Sequence, residues 1–105
     1  MWMVPPRLMC RQHLLGEHVE LHMLVGTIKA NKSVDGYVNK NLIMTSKIKE
    51  RHDALVNEMG NRGYNHKSPL EYDDKLHKGQ VSVLDSIAEL VKRCPECKKR
   101  IEDER

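Results

Sequence analysis

The densest run of chemically competent residues lies near the start of the chain. His13, Glu17 and Glu20 stand at i, i+4 and i+7, so in a helix they leave one face within about two turns. Two carboxylates and an imidazole at that spacing suit proton transfer, or the placing of one ionised acid beside a developing cation. They equally suit the solvated side of an amphipathic helix. His18 and His22 have the i, i+4 step of metal ligands, but the order His-Val-Glu-Leu-His lacks the acid directly after the first histidine that zinc proteases require. Cys94-Pro95-Glu96-Cys97 is half a zinc site. A full one requires Cys10, or histidines brought close by the fold or by a second copy; the alternative is a pair of free thiols. Joining His18-Val19-Glu20 to these cysteines as a deaminase centre fails, because the proline lies between the cysteines rather than before them. Thioredoxin-like chemistry lacks the surrounding βαβ pattern. No metal or cofactor is expected, with Cys94 and Cys97 kept as metal candidates.

A second group is cationic. Lys47, Lys49 and Arg51 open one helical segment, and Arg62, His66 and Lys67 follow its end. Together they could flank a groove for phosphates, although Glu50, Asp53 and Glu58 on the same segment dilute the charge and fit a solvated face as well. The net charge of +3 is unevenly placed. Residues 1–70 hold 10 Lys/Arg against 6 Asp/Glu, and residues 71–105 hold 8 against 9, so the basic excess belongs to the first two thirds.

The elements that must position these groups follow from composition and periodicity. At 105 residues there is room for one core. Phe is absent and the aromatics are Trp2, Tyr37, Tyr64 and Tyr72, so Leu, Ile, Val and Met must fill the interior, which favours helices over strands. The expectation is an all-α, compact single-domain bundle of about three helices without a sheet, with a domain at 1–93 and a charged, CxxC-containing tail at 94–105. Pro5-Pro6 pre-sets a helix start, and a long helix is expected at about 7–29, with Leu14, Leu21, Leu24 and Ile28 as its stripe and Leu15 and Val25 widening it. Gly16 and Gly26 within it suggest close approach of a second backbone. Residues 30–41 read as a loop turning at Asp35-Gly36. A second helix is expected at about 42–59, buried along Ile48, Leu55, Val56 and Met59 and ended by Gly60. Ser82 has capping-box spacing to Asp85 and opens a third helix to about Arg93, with Leu84, Ile87, Ala88 and Val91 inward. The tail from Lys98 onward reads as charged and frayed. No apolar run approaches the roughly 18–20 residues that cross a bilayer, and the start lacks the order of a signal peptide. A cytoplasmic location with reduced thiols follows.

Gln12-His13-Leu14-Leu15-Gly16-Glu17-His18-Val19-Glu20-Leu21 resembles the Gln-His-Leu-x-x-Glu-x-x-Glu-Leu stretch of the phage-type pyrimidine-dimer DNA glycosylases, also called endonuclease V of that lineage. Val4-Pro5-Pro6 looks like the segment leading into that helix, and Arg62-Gly63-Tyr64-Asn65 is similar to the family's Arg-Gly-aromatic-Asn. The resemblance covers about residues 1–70. It implies a helical bundle and a metal-independent glycosylase and abasic-site lyase acting on damaged duplex DNA. The chain's α-amine would attack the sugar C1′ and form an imine, a role that suits a group titrating near pH 8, far below lysine. Trp2 is too large for the usual removal of an initiator Met, so Met1 would carry that amine. Glu20 matches the family's essential carboxylate. Gln12 and His13 match residues near DNA, and with Arg7, Arg11, Lys47, Lys49, Arg51, Arg62, His66 and Lys67 they form the expected DNA-binding set. Val19 and Met23 stand where the family presents arginines. The alternatives are a non-catalytic helical module gripping DNA or a protein, and a small zinc protein organised by Cys94 and Cys97. The sequence sets neither the lesion nor the oligomeric state.

Overall fold

The computed structural model describes residues 1–65 and 69–104, and among these every regular element is helical. Five α-helices are present: α1 (Arg11–Lys29), α2 (Asp35–Asn39), α3 (Ile48–Asn61), α4 (Val83–Arg93) and α5 (Pro95–Asp103). Short 3-10 turns at Pro6–Leu8 and Thr45–Lys47 precede α1 and α3. The expected all-α architecture holds, but with five helices rather than about three.

The differences have local causes. Pro5-Pro6 does start helical geometry, but as a separate 3-10 turn, because Met9 is extended (φ −94°, ψ 141°) and α1 begins only after Cys10. Helix α1 buries Leu14, Leu21, Leu24 and Val25 as its periodicity requires, together with Glu17 and His18. Leu15 and Ile28 pack at the margin of the core. A Cβ at Gly16 or Gly26 would meet no atom within 4 Å, so the expected close backbone approach does not occur. Asp35-Gly36 opens the short helix α2 rather than forming a bare turn.

Helix α3 starts later than expected, after the 3-10 turn, and buries Ile48, Leu55 and Met59. Gly60 stays inside it, and the stop comes at Gly63. There φ is +80°, and the Tyr64 N–H bonds back to the Met59 carbonyl at 2.9 Å, a left-handed closure that glycine adopts without a Cβ penalty.

Residues 69–82 form a strap without regular structure, anchored by Leu70 in the core. The strap and Thr45 exchange hydrogen bonds: Thr45 N–H donates to the Lys78 carbonyl at 2.9 Å, and Lys78 N–H donates to Thr45 Oγ1 at 2.9 Å. Gly79 has φ +88°, and a Cβ there would collide with the Ile43 carbonyl oxygen. Only glycine fits this crossing.

Ser82 caps α4 as its spacing predicts, its side chain accepting from the Asp85 N–H at 3.2 Å. The inward face is not the expected one. Ser86 and Leu90 are buried, Ile87 and Val91 only partly, while Leu84 is 79% exposed and Ala88 is exposed. The tail is not frayed but folds into α5, which sends Cys97 and Ile101 into the same core as Met1, Val4, Leu14, Ile48 and Leu90. Among the described residues no helix is long and apolar enough to cross a membrane.

Candidate active site

The N-terminal segment is held by its apolar side chains. Val4 is fully buried and the Met1 side chain is sunk into the core, with its Sδ accepting from the Met44 N–H at 3.4 Å. Arg62 secures the same segment from α3. Its guanidinium donates to the carbonyls of Pro6 (3.1 Å) and Met9 (2.7 Å) and pairs with Glu58 at 2.7 Å. With only 10% of its side chain exposed, Arg62 acts here as an internal clamp.

This anchoring brings the Met1 amine to α1. The nitrogen donates to Glu20 Oε1 at 2.7 Å and to the Leu42 carbonyl at 2.8 Å. The Met1 side chain is buried and its amine part-buried, whereas the Glu20 side chain is 42% exposed. Both groups line an open cleft of about 780 Å³, whose walls also carry Trp2, Tyr37, Lys40 and Arg93. A neutral amine has two N–H groups and one lone pair. With Leu42 and Glu20 as its two acceptors, the lone pair remains for a carbon in the cleft.

The other two members of the His13, Glu17, Glu20 face go elsewhere. Glu17 is 1% exposed and takes both arms of the Arg51 fork, at 2.6 and 2.9 Å. Arg51 is itself 5% exposed, with a further contact to Met9 Sδ at 3.3 Å. A guanidinium so enclosed is a structural partner, unlike its sequence neighbours Lys47 and Lys49, which are exposed and pair with Glu50 and Asp53. His13 turns its Nδ1 toward thiols, 3.2 Å from Cys10 Sγ and 3.6 Å from Cys97 Sγ. The backbone N–H of Cys97 helps hold the Cys94 thiol below the usual thiol range, while burial pushes that of Cys97 up to about 12. His18 and His22 are joined by His52 from α3, ring centroids lying 4.8 to 5.1 Å apart.

Of the remaining expected DNA contacts, Arg7, Arg11 and Gln12 are exposed around the start of α1. Arg11 sits over the Tyr64 ring at 5.0 Å and Arg7 lies 3.5 Å from Glu104. His66 and Lys67 fall outside the described residues. Trp2, Tyr37, Lys40, Arg93 and the Leu42 carbonyl were not singled out from sequence, because nothing in their spacing marks a shared cleft.

No curated protein and no solved structure matches the chain. A family model described as pyrimidine dimer DNA glycosylase matches residues 1–72, a span that carries Met1, Glu20 and Leu42. With the larger part of its length matched, from the Met1 amine through the clamp of Arg62, the chain belongs to the pyrimidine dimer DNA glycosylase family.

Proposed function

We propose that the protein is a DNA glycosylase and abasic-site lyase acting on damaged duplex, with the Met1 amine as nucleophile and Glu20 as its acidic partner. The observation that carries this reading is the 2.7 Å contact between that nitrogen and the Glu20 carboxylate at the edge of the cleft.

The base opposite the lesion is turned out of a kinked duplex, at a cost of a few kcal/mol that is lowest where a lesion already weakens pairing, and the damaged sugar faces the cleft. Trp2 and Tyr37 offer aromatic faces, and Lys40 offers charge for the sugar-phosphate chain, while Arg93 is held by Glu89 at 2.8 Å. The amine lone pair attacks C1′. A C1′–N bond forms as the glycosidic bond breaks, and the departing base takes a proton from water. The attacking nitrogen then passes one proton to Glu20, the C1′–O4′ bond opens with return of that proton to O4′, and a protonated imine with one N–H remains, its charge balanced by the hydroxide left from the water. The Glu20 carboxylate also faces the positive charge that builds on the sugar. In the lyase step it removes a C2′ proton, the electron pair forms the C2′–C3′ double bond, and the 3′ phosphate leaves. The Leu42 carbonyl keeps the amine aimed throughout. Arg7, Arg11, Gln12, Lys47 and Lys49 are exposed groups suited to the flanking backbone.

Borohydride reduction in the presence of DNA carrying a pyrimidine dimer or an abasic site tests this directly. Covalent protein–DNA product is expected with the native protein, and none after selective acetylation of the α-amine. Salt-sensitive binding to DNA without trapping or strand cleavage would replace the enzyme with a non-catalytic binding module.

A further inference from the structure

Four side chains from opposite ends of the chain meet at the junction of α1 and α5. Cys10, His13, Cys94 and Cys97 each present one donor atom, and the four atoms lie within 4.8 Å of one another. We propose that they form a tetrahedral Cys3His site for a Zn²⁺ ion, structural rather than catalytic.

The spacing fits a metal better than a disulfide. Zn–S bonds of about 2.3 Å and Zn–N bonds of about 2.0 Å in a regular tetrahedron put two sulfurs about 3.8 Å apart and sulfur and nitrogen about 3.5 Å apart. Cys10 Sγ lies 3.8 Å from Cys94 Sγ, and His13 Nδ1 lies 3.2 and 3.6 Å from the sulfurs of Cys10 and Cys97. A disulfide needs about 2.05 Å. The donor set, three soft sulfurs and one imidazole, is one that zinc favours.

Backbone donors orient two of the sulfurs. The Cys10 N–H donates to Cys97 Sγ at 3.2 Å, and the Cys97 N–H donates to Cys94 Sγ at 3.5 Å. Such outer bonds fix ligand orientation and offset thiolate charge. Cys94 caps α5, where the free N–H groups and the helix dipole favour negative sulfur, and Cys97 lies in the first turn of the same helix. Cys10 and Cys97 are 2% and 0% exposed, and the Trp2 ring packs edge-on against His13 with centroids 5.8 Å apart. Four protein ligands leave no open position for water or substrate, which separates this site from the amine and Glu20. Cys94 and Cys97 also lie beyond the family match, which ends at residue 72.

Full-length protein purified without added zinc, then analysed for metals, should carry one zinc per chain. Exchange with Co²⁺ should give the intense visible bands of tetrahedral thiolate coordination. Cys94→Ser with Cys97→Ser should abolish both signals. His13→Cys, which keeps four ligands, should retain the metal and shift the cobalt bands. Glu20→Gln should leave metal content unchanged, so loss of trapping and loss of metal are read separately. Three freely titrating thiols with no zinc, even after incubation with excess Zn²⁺, would overturn the proposal. So would zinc retained undiminished by the double cysteine variant, or iron in zinc's place.

Discussion

Glu17 and Glu20 are three residues apart on one helix, yet they do opposite work. Glu17 is fully enclosed and faces Arg51 through two short bonds, so removing either partner strands a buried charge, at a cost of about 3–5 kcal/mol. Arg51→Met should therefore lower the urea midpoint steeply, and combining it with Glu17→Leu should restore much of the loss, since an apolar pair of similar volume needs no compensating charge. Glu20 is half-open to water, where an ion pair contributes roughly 0–1 kcal/mol. Glu20→Gln should leave the unfolding midpoint almost unchanged while reducing strand cleavage by about 10²- to 10⁴-fold, the usual range for a positioned acid or base. Equal destabilisation by Arg51→Met and Glu20→Gln would refute this division of roles. Spacing in the sequence put His13, Glu17 and Glu20 on one side of a helix. Spacing alone does not assign their partners, because Arg51 and Cys97 arrive from elements remote in the chain and only the family resemblance pairs Glu20 with the Met1 amine.

At the scale of elements, the long periodic helix was the most legible feature, since Leu14, Leu21 and Leu24 repeat at steps only a buried helix face satisfies. The cap of α4 was legible for the same local reason: Ser82 and Asp85 lie within one turn. The inward face of α4 was not. Its apolar residues form one arc, but the buried positions Ser86 and Leu90 lie at the edge of that arc, which leaves Leu84 exposed. The strap joining α3 to α4 offered no periodic signal, yet Asp74 organises it. Burial acts to raise the Asp74 pKa, but bonds from the Tyr72 hydroxyl, the Leu76 and His77 N–H groups and the Thr45 hydroxyl outweigh it and hold the carboxyl below the usual range. A carboxyl depressed in the folded state contributes stability at pH values above its unfolded pKa, near 4, and that contribution disappears as pH falls through the folded value. The unfolding midpoint of the native protein should thus drop on acidification below about pH 4. Asp74→Asn should start lower at neutral pH and fall less over that acid range. An unchanged acid slope in the variant would mean that other carboxylates carry the transition.

For the molecule as a whole, the termini are the part that most needs a fastener. The first nine residues carry the amine to Glu20 ahead of the helical hydrogen bonds of α1, whose first runs from the Leu14 N–H to the Cys10 carbonyl, and α5 contributes little apolar mass beyond Cys97 and Ile101. A metal bridging Cys10 and His13 to Cys94 and Cys97 closes a loop that spans most of the chain and holds both ends against α1. A ligand present at a thousandfold excess over its dissociation constant stabilises the folded state by about 4 kcal/mol, and in a domain of about 100 residues that moves Tm by on the order of 15–30 °C. Chelation of the zinc-loaded protein should lower Tm by an amount of that order, and zinc added back should restore it. Cys94→Ser with Cys97→Ser should melt near the chelated value and respond to neither treatment. If instead the chelated protein melts as the loaded one does, α5 is held by the contacts of Leu90, Cys97 and Ile101 alone, and the N-terminal segment keeps its place at Glu20 through Val4, Arg62 and Leu42 without help from the opposite end of the chain.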